Sequence, residues 1–202
     1  MKITIFGATG QMGQLLARQA LDAGHDVLAF ARNPDKLTIS HPRLTIAPGQ
    51  LDDDAAIGHA VRGADAVIEG VGSHSDGTRR IITAMRASDA RRIVVVSTCS
   101  VPDPADRPDP NVKALVRLVK TVAPGPCQQI RAAAGYVRAS DLAWTLVRVA
   151  KLTNDPPTGQ LKIGYYGHGT VGLSVTRADM AAFLLSQTSD TTYLHSAPAI
   201  SN

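Results

Sequence analysis

The residues most suited to chemistry come first in the chain. Gly7-Ala-Thr-Gly10-Gln-Met-Gly13 carries three glycines at the spacing of a turn that cradles phosphate. In such a turn the first glycine permits the tight bend, the second lets the backbone approach a pyrophosphate, and the third lets helix and strand pack closely. Gly7, Gly10 and Gly13 fill those places, and Thr9, Gln11 and Met12 between them are further candidate contacts. The apolar β-branched run Lys2–Phe6 precedes the turn and a helical pattern follows it, so the helix N-terminus faces the anion. A Gly-rich turn that binds nothing is the bland alternative; the agreement of spacing, strand and helix favours a dinucleotide.

A dinucleotide's adenosine ribose falls at the end of the second strand, where a carboxylate would select NAD. Phe30-Ala31-Arg32-Asn33 offers none there. Arg32 can instead grip a 2′-phosphate through charge-assisted hydrogen bonds, and Lys36, one turn on, adds a second positive group, so the expected cofactor is NADP(H). Otherwise Arg32 opens a solvated turn and Lys36 is a surface lysine. Ser97-Thr98-Cys99-Ser100 follows a fifth strand, at the carboxyl edge where open α/β sheets bind ligands. Ser97 and Thr98 are candidate catalytic hydroxyls, able to orient a nicotinamide carboxamide or a substrate carbonyl; strand-end capping is the alternative. Cys99 reads as an inert thiol. The six histidines are scattered at positions 25, 41, 59, 74, 168 and 195, without metal-ligand spacing, and no metal site is expected.

These residues need elements to hold them. At 202 residues, with 44% hydrophobic and 19% charged side chains, the chain has the makings of an ordinary core. Short β-branched runs alternate with amphipathic stretches: strands at 2–6, 27–30, 44–47, 66–69, 92–96 and 143–149, with helices at 10–23, 53–62, 78–87, 112–122 and 128–140 between them. The alternation predicts a doubly wound parallel α/β sheet covered on both faces. Val101–Pro110, with four prolines and three aspartates, reads as a loop over the carboxyl edge. Thr176 opens a last helix, Thr192–His195 suggests a final short strand, and the Gly-rich elements after Lys151 suggest a small C-terminal substrate lobe. One domain, 1–202, is expected.

The net charge of +4 is not gathered into a stripe, the longest basic runs being Arg79-Arg80 and Arg91-Arg92, and aromatics make up only 4% of the chain. No nucleic-acid partner is expected. No leader pattern or span of ~20 apolar residues stands out, so no membrane partner is expected and a cytoplasmic protein with reduced Cys99 and Cys127 is.

The chain resembles the atypical short-chain dehydrogenase/reductase group, the NAD(P)H-binding Rossmann proteins that include the NmrA-like regulators and the biliverdin-IXβ/flavin reductases. The resemblance runs through Gly7–Gly13, Ala31-Arg-Asn-Pro-Asp-Lys-Leu37, Ala60-Val-Arg-Gly-Ala-Asp-Ala-Val-Ile68, Arg138-Ala-Ser-Asp-Leu-Ala-Trp-Thr-Leu-Val-Arg148 and Val175-Thr-Arg-Ala-Asp-Met-Ala181. It implies that Gln50 and Leu51 flank adenine, although the family usually has Asp where Gln50 stands, and that Val71 and Gly72 line the cofactor's middle. It puts His74 and Lys151 near the phosphate or nicotinamide pocket, or else leaves them as loop side chains. Classical members of the wider family use a tyrosine with a lysine four residues on; none of Tyr136, Tyr165, Tyr166 and Tyr193 has one. The flavin and biliverdin reductases lack that pair too. The resemblance therefore implies an NADPH-dependent reductase passing hydride to a small planar acceptor of flavin, quinone or tetrapyrrole type. The alternative is a non-catalytic NADP(H)-binding redox sensor acting through a protein partner.

Overall fold

Strand β1 (Lys2–Phe6) lies inside the sheet because every residue after Lys2 is buried. In the computed structural model, which describes residues 1–202, it is flanked by β2 (Asp26–Ala31) and β4 (Ala66–Glu69). Outward from β2 comes β3 (Leu44–Pro48); outward from β4 come β5 (Arg92–Thr98) and β6 (Ala143–Val149). All these pairings are parallel. The chain therefore winds one way from β1 and then the other, which leaves a crevice at the carboxyl ends of β1 and β4.

Helices α1 (Gln11–Asp22) and α6 (Arg177–Ser186) cover one face, with Leu16, Leu21, Met180 and Leu184 packed on Ile3, Ile5 and Val147. The other face holds α2 (Asp54–Val61), α3 (Ser75–Arg86) and α5 (Pro124–Arg138), whose Ile57, Ile81, Met85 and Val137 meet Phe6, Val67, Ile93 and Leu146. Between β5 and α5, α4 (Pro110–Val122) buries no residue fully and rests Val112, Leu115 and Val116 over Cys99 and Tyr166. Both α4 and α5 begin at a proline, where the missing N–H costs nothing, so α5 starts four residues before the expected Gln128. No helix is long and apolar enough to cross a membrane.

Three expectations need correction. Strand β5 runs two residues past Val96, so Ser97 and Thr98 lie within it. Helix α3 starts at Ser75 rather than Thr78. Thr192–His195 is a turn, with His195 at φ 53°, a left-handed conformation that a strand does not tolerate. The last strand is instead β10 (Ala199–Ser201), which pairs parallel to β6 and antiparallel to β8 (Lys162–Gly164). The short elements after Lys151 thus extend the main sheet, apart from β7 (Lys151–Thr153) and β9 (Ser174–Thr176), which pair with each other.

A charge sits at the heart of this edge. Arg148 of β6 is fully buried and holds both carboxylate oxygens of Asp106, at 2.5 and 2.9 Å. It also donates to Val101 O and Ala197 O, with the Tyr166 ring 5.2 Å away. The Pro-rich loop and the last segment are thereby fixed to the sheet. Burial alone would push the Asp106 carboxyl up, but the hydrogen bonds and charge of Arg148, with backbone amides of Asp103 and Tyr166, hold it below the usual carboxylate range. A folded-state value below the unfolded one gives stability that is full above about pH 4 and is lost as pH falls through the folded value. Melting temperature should therefore fall on acidification in the wild type and less steeply in Asp106→Asn. Arg148→Met should cost about 3 kcal/mol in denaturant unfolding, because it strands the partly buried carboxylate.

Candidate functional site

The glycine turn owes its shape to contacts that leave no room for side chains. Gly7 sits at φ 90°, and a Cβ there would lie 3.2 Å from the Gly70 carbonyl carbon. A Cβ on Gly13 would lie 2.1 Å from the Gly7 carbonyl oxygen, so α1 can start this close to β1 only with glycine there. Gly10, the N-cap of α1, has ordinary extended angles, and a Cβ on it would meet nothing nearer than Gly7 O at 3.4 Å. No side chain caps α1 and no acidic residue stands in its first turn. The amides of Gln11, Met12 and Gly13 are therefore available to an anion.

From this turn a cleft of about 590 Å³ runs along the ends of β2 and β3 to the start of α3. It brings together Gly7, Thr9, Arg32, Lys36, Gln50, Leu51, Val71 and His74 of the expected residues. Arg32 and Lys36 are exposed, and neither enters any of the ion pairs of the fold. The cleft also takes in residues that sequence reasoning missed, among them Phe30, Gly49, Asp52, Asp76 and Gly77. Phe30 packs on Phe6 with ring centroids 4.9 Å apart, and a Cβ on Gly49 would strike its ring at 2.5 Å. Gly49, directly after β3, was the available signal. Asp76 is turned toward Arg80 and Arg79, whose hydrogen bonds hold its carboxyl below the usual range.

Other expected residues stand apart from the cleft. Gly72, at φ 68°, lies in the loop after β4, and Lys151 is exposed at the start of β7. Ser97 and Thr98 do not line the cleft, and because they are neighbours in a strand they point to opposite faces of the sheet. The Ser97 hydroxyl is buried without a partner, whereas Thr98 Oγ1 lies 2.7 Å from Ser100 Oγ. Tyr136 is exposed on α5. Tyr166 is buried with its hydroxyl unpartnered, and burial, with Cys99 beside it, pushes its phenol far above the ordinary range. Burial likewise pushes the Cys99 thiol up, consistent with an unreactive group. No three His, Cys, Asp or Glu side chains gather as metal ligands.

Fold and turn together define a Rossmann-type dinucleotide-binding protein. Residues 7–191 match the model of the NAD(P)H-binding family, and the chain belongs to that family. It is 36% identical over 126 residues to the 2-alkyl-3-oxoalkanoate reductase of Stenotrophomonas maltophilia, covering 54% of this chain and 36% of that one. The chain spans about a third of the length of the first curated relatives it matches. Among solved structures it is similar to a short-chain dehydrogenase/reductase of Veillonella parvula in complex with NADP, with TM-score 0.82 and 23% identity over 100% of this chain and 94% of that one. It is also similar to ChuY, an anaerobilin reductase of Escherichia coli, with TM-score 0.83 and 17% identity over 100% and 97% of the two chains. At such identities these likenesses speak for the fold.

The glycine geometry separates binding from folding. Gly10→Val has room in the protein and should leave the melting temperature nearly unchanged while abolishing NADPH binding by calorimetry. Gly13→Ala sets a methyl group against fixed backbone and should lower the melting temperature markedly.

Proposed function

We propose that the chain is an NADPH-dependent reductase that passes hydride to a small planar acceptor of flavin, quinone or tetrapyrrole class. The observation that carries the cofactor choice is the pair of exposed cations, Arg32 and Lys36, free of ion pairs at the rim of the cleft that starts at the glycine turn. No carboxylate follows Ala31 at the end of β2, where the ribose of NAD would need one. The reductase reading draws on the curated relatives, which include a (4-alkanoyl-5-oxo-2,5-dihydrofuran-3-yl)methyl phosphate reductase, 33% identical over 103 residues.

When bound, the nicotinamide supplies the hydride. The chain's own part is to bind and orient. The free amides at the start of α1 hold the pyrophosphate, and Arg32 with Lys36 grips the 2′-phosphate. Phe30 and Leu51 offer apolar surface to adenine, and the Gln50 carboxamide can both donate to and accept from its edge. Val71 would wall the middle of the cleft with His74 toward its α3 end, while Gly72 and Lys151, outside the cleft, would meet the cofactor only where it extends beyond it. Ser97, buried off the cleft with no partner for its hydroxyl, would act by shaping the strand end rather than by touching the ligand. Thr98, engaged with Ser100, supports that strand end. With no tyrosine tuned by a lysine, the proton reaches the reduced acceptor from solvent.

A sensor reading finds support in α4, where Leu118 is 59% and Val122 74% exposed, surface suited to a protein partner. One assay separates the two. NADPH oxidation assayed against flavins, quinones, tetrapyrroles and aldehydes should show turnover with a planar acceptor; tight binding with no turnover on the whole panel means a sensor. Arg32→Ala should weaken NADPH by about 1.5–3 kcal/mol, the value of hydrogen bonds to a charged group, and leave NADH nearly unaffected. Equal losses for both cofactors would remove Arg32 from the 2′-phosphate. Ser97→Ala combined with Thr98→Ala should lower turnover ~10-fold by loosening that strand end, and Tyr136→Phe should be silent.

A further inference from the structure

Glu69 is the only glutamate among the 17 acidic residues of the chain. It ends β4 with Phe6 and Val95 as its strand neighbours, and it is 1% exposed. Its Oε1 accepts from the Val71 amide at 2.8 Å and the Gly72 amide at 3.1 Å, while Oε2 is buried with no partner. The carboxyl thus shapes the bend by which the chain leaves β4 and becomes a wall of the cleft. That bend lies against the glycine turn: a Cβ on Gly7 would meet Gly70 O at 3.3 Å and Val71 N at 3.4 Å.

No cation faces this carboxyl. Lys2 of β1 and Arg92 of β5 stand at the opposite ends of their strands. At the start of α3, His74 lines the cleft and Asp76 is turned to Arg79 and Arg80. Burial raises the proton affinity of Glu69, and the Gly72 and Val71 amides, with the nearby Thr78 hydroxyl that donates to His74 O, offset only part of that. A dinucleotide brings the negative charge of its pyrophosphate to the adjoining turn, which disfavours an ionised carboxyl further.

We propose that Glu69 is a proton-linked positioning residue for the cofactor: it holds the Val71–Gly72 bend as a neutral acid in the complex, so that binding draws one proton from solvent onto its unpartnered oxygen. The proposal rests on reading the cleft as the NADPH site. Where the free carboxyl is ionised and the bound one is not, affinity falls as pH rises, by up to tenfold per pH unit for one proton. A glutamine can accept the same two amides through its carbonyl, so Glu69→Gln should keep the bend and lose the proton.

Because there is one glutamate, protein labelled with ¹³C-glutamate gives a single side-chain carboxyl signal. Its pH titration in the free protein and in protein saturated with NADPH should show a midpoint raised by the cofactor. Calorimetry in two buffers of different ionisation enthalpy should show proton uptake in the wild type. Glu69→Gln should bind NADPH as the wild type does at low pH but with a flatter pH dependence; the 2′-phosphate, which itself titrates near pH 6, is common to both proteins and cancels. Glu69→Ala should bind more weakly than Glu69→Gln at every pH. A carboxyl signal that titrates alike, or not at all, in the two states overturns the proposal while NADPH binding leaves the cleft reading intact. Equal proton uptake by wild type and Glu69→Gln does the same. Failure of the wild type to bind NADPH overturns both.

Discussion

The contact on which the site depends is between the Gly7 carbonyl and the first turn of α1. That oxygen occupies the place where any side chain on Gly13 would begin. Helix and strand can therefore approach within backbone distance, and the N-terminus of α1 is aimed along the end of β1. Gly70, after β4, also comes near Gly7 but less tightly, its carbonyl carbon 3.2 Å from where a Cβ on Gly7 would stand. The crevice between β1 and β4 follows from parallel winding, but its anion-binding floor follows from these missing Cβ atoms. Since the helix has no capping side chain of its own, its orphan amides are left for a ligand.

Charge is distributed unevenly about that floor. On the open side Arg32 and Lys36 are unpaired and solvated, free to meet a phosphate without first breaking an ion pair. On the buried side every strong charge is answered within the protein. Arg148 is held by Asp106 and two carbonyls, and Arg92 by Gln187 O, Ala143 O and Thr145 Oγ1. Burial lowers the proton affinity of the Arg92 guanidinium, with Asp190 opposing, and the carbonyls around it are what make the charge tolerable. Glu69 is the exception, a carboxyl with amides on one oxygen and nothing on the other, at the end of β4 beside the glycine turn.

The far side of the carboxyl edge is built for rigidity. Gly167, at φ 80°, lets the 165–168 turn press on Arg107, whose carbonyl oxygen would lie 2.3 Å from a Cβ there. Together with the Arg138–Asp103 pair at 3.1 Å and the Arg148 anchor, this makes a fixed wall out of a loop rich in proline. A wall fixed in this way beside the sheet edge suits a ligand held in one orientation.

Much was legible in the sequence because it is local. The glycine spacing, the β-branched runs and their helical intervals each depend on residues a few positions apart, and β4 and β6 fall on the residues the pattern marked. The absence of a carboxylate after β2 and the presence of Arg32 are equally one-dimensional facts. What the sequence left open depends on contacts between distant segments. Thr192–His195 has the composition of a strand, yet the open edge of β6 is taken by Ala199–Ser201, a choice made by register and by the turn at His195. Ser97 and Thr98 are adjacent in the chain but separated by the sheet itself. Phe30 becomes part of the cleft only because Gly49, brought beside it by β3, leaves its ring room. Whether Arg148 and Glu69 are surface charges or buried ones is decided by which strands flank them, since desolvation is a property of the packed surroundings and not of the residue.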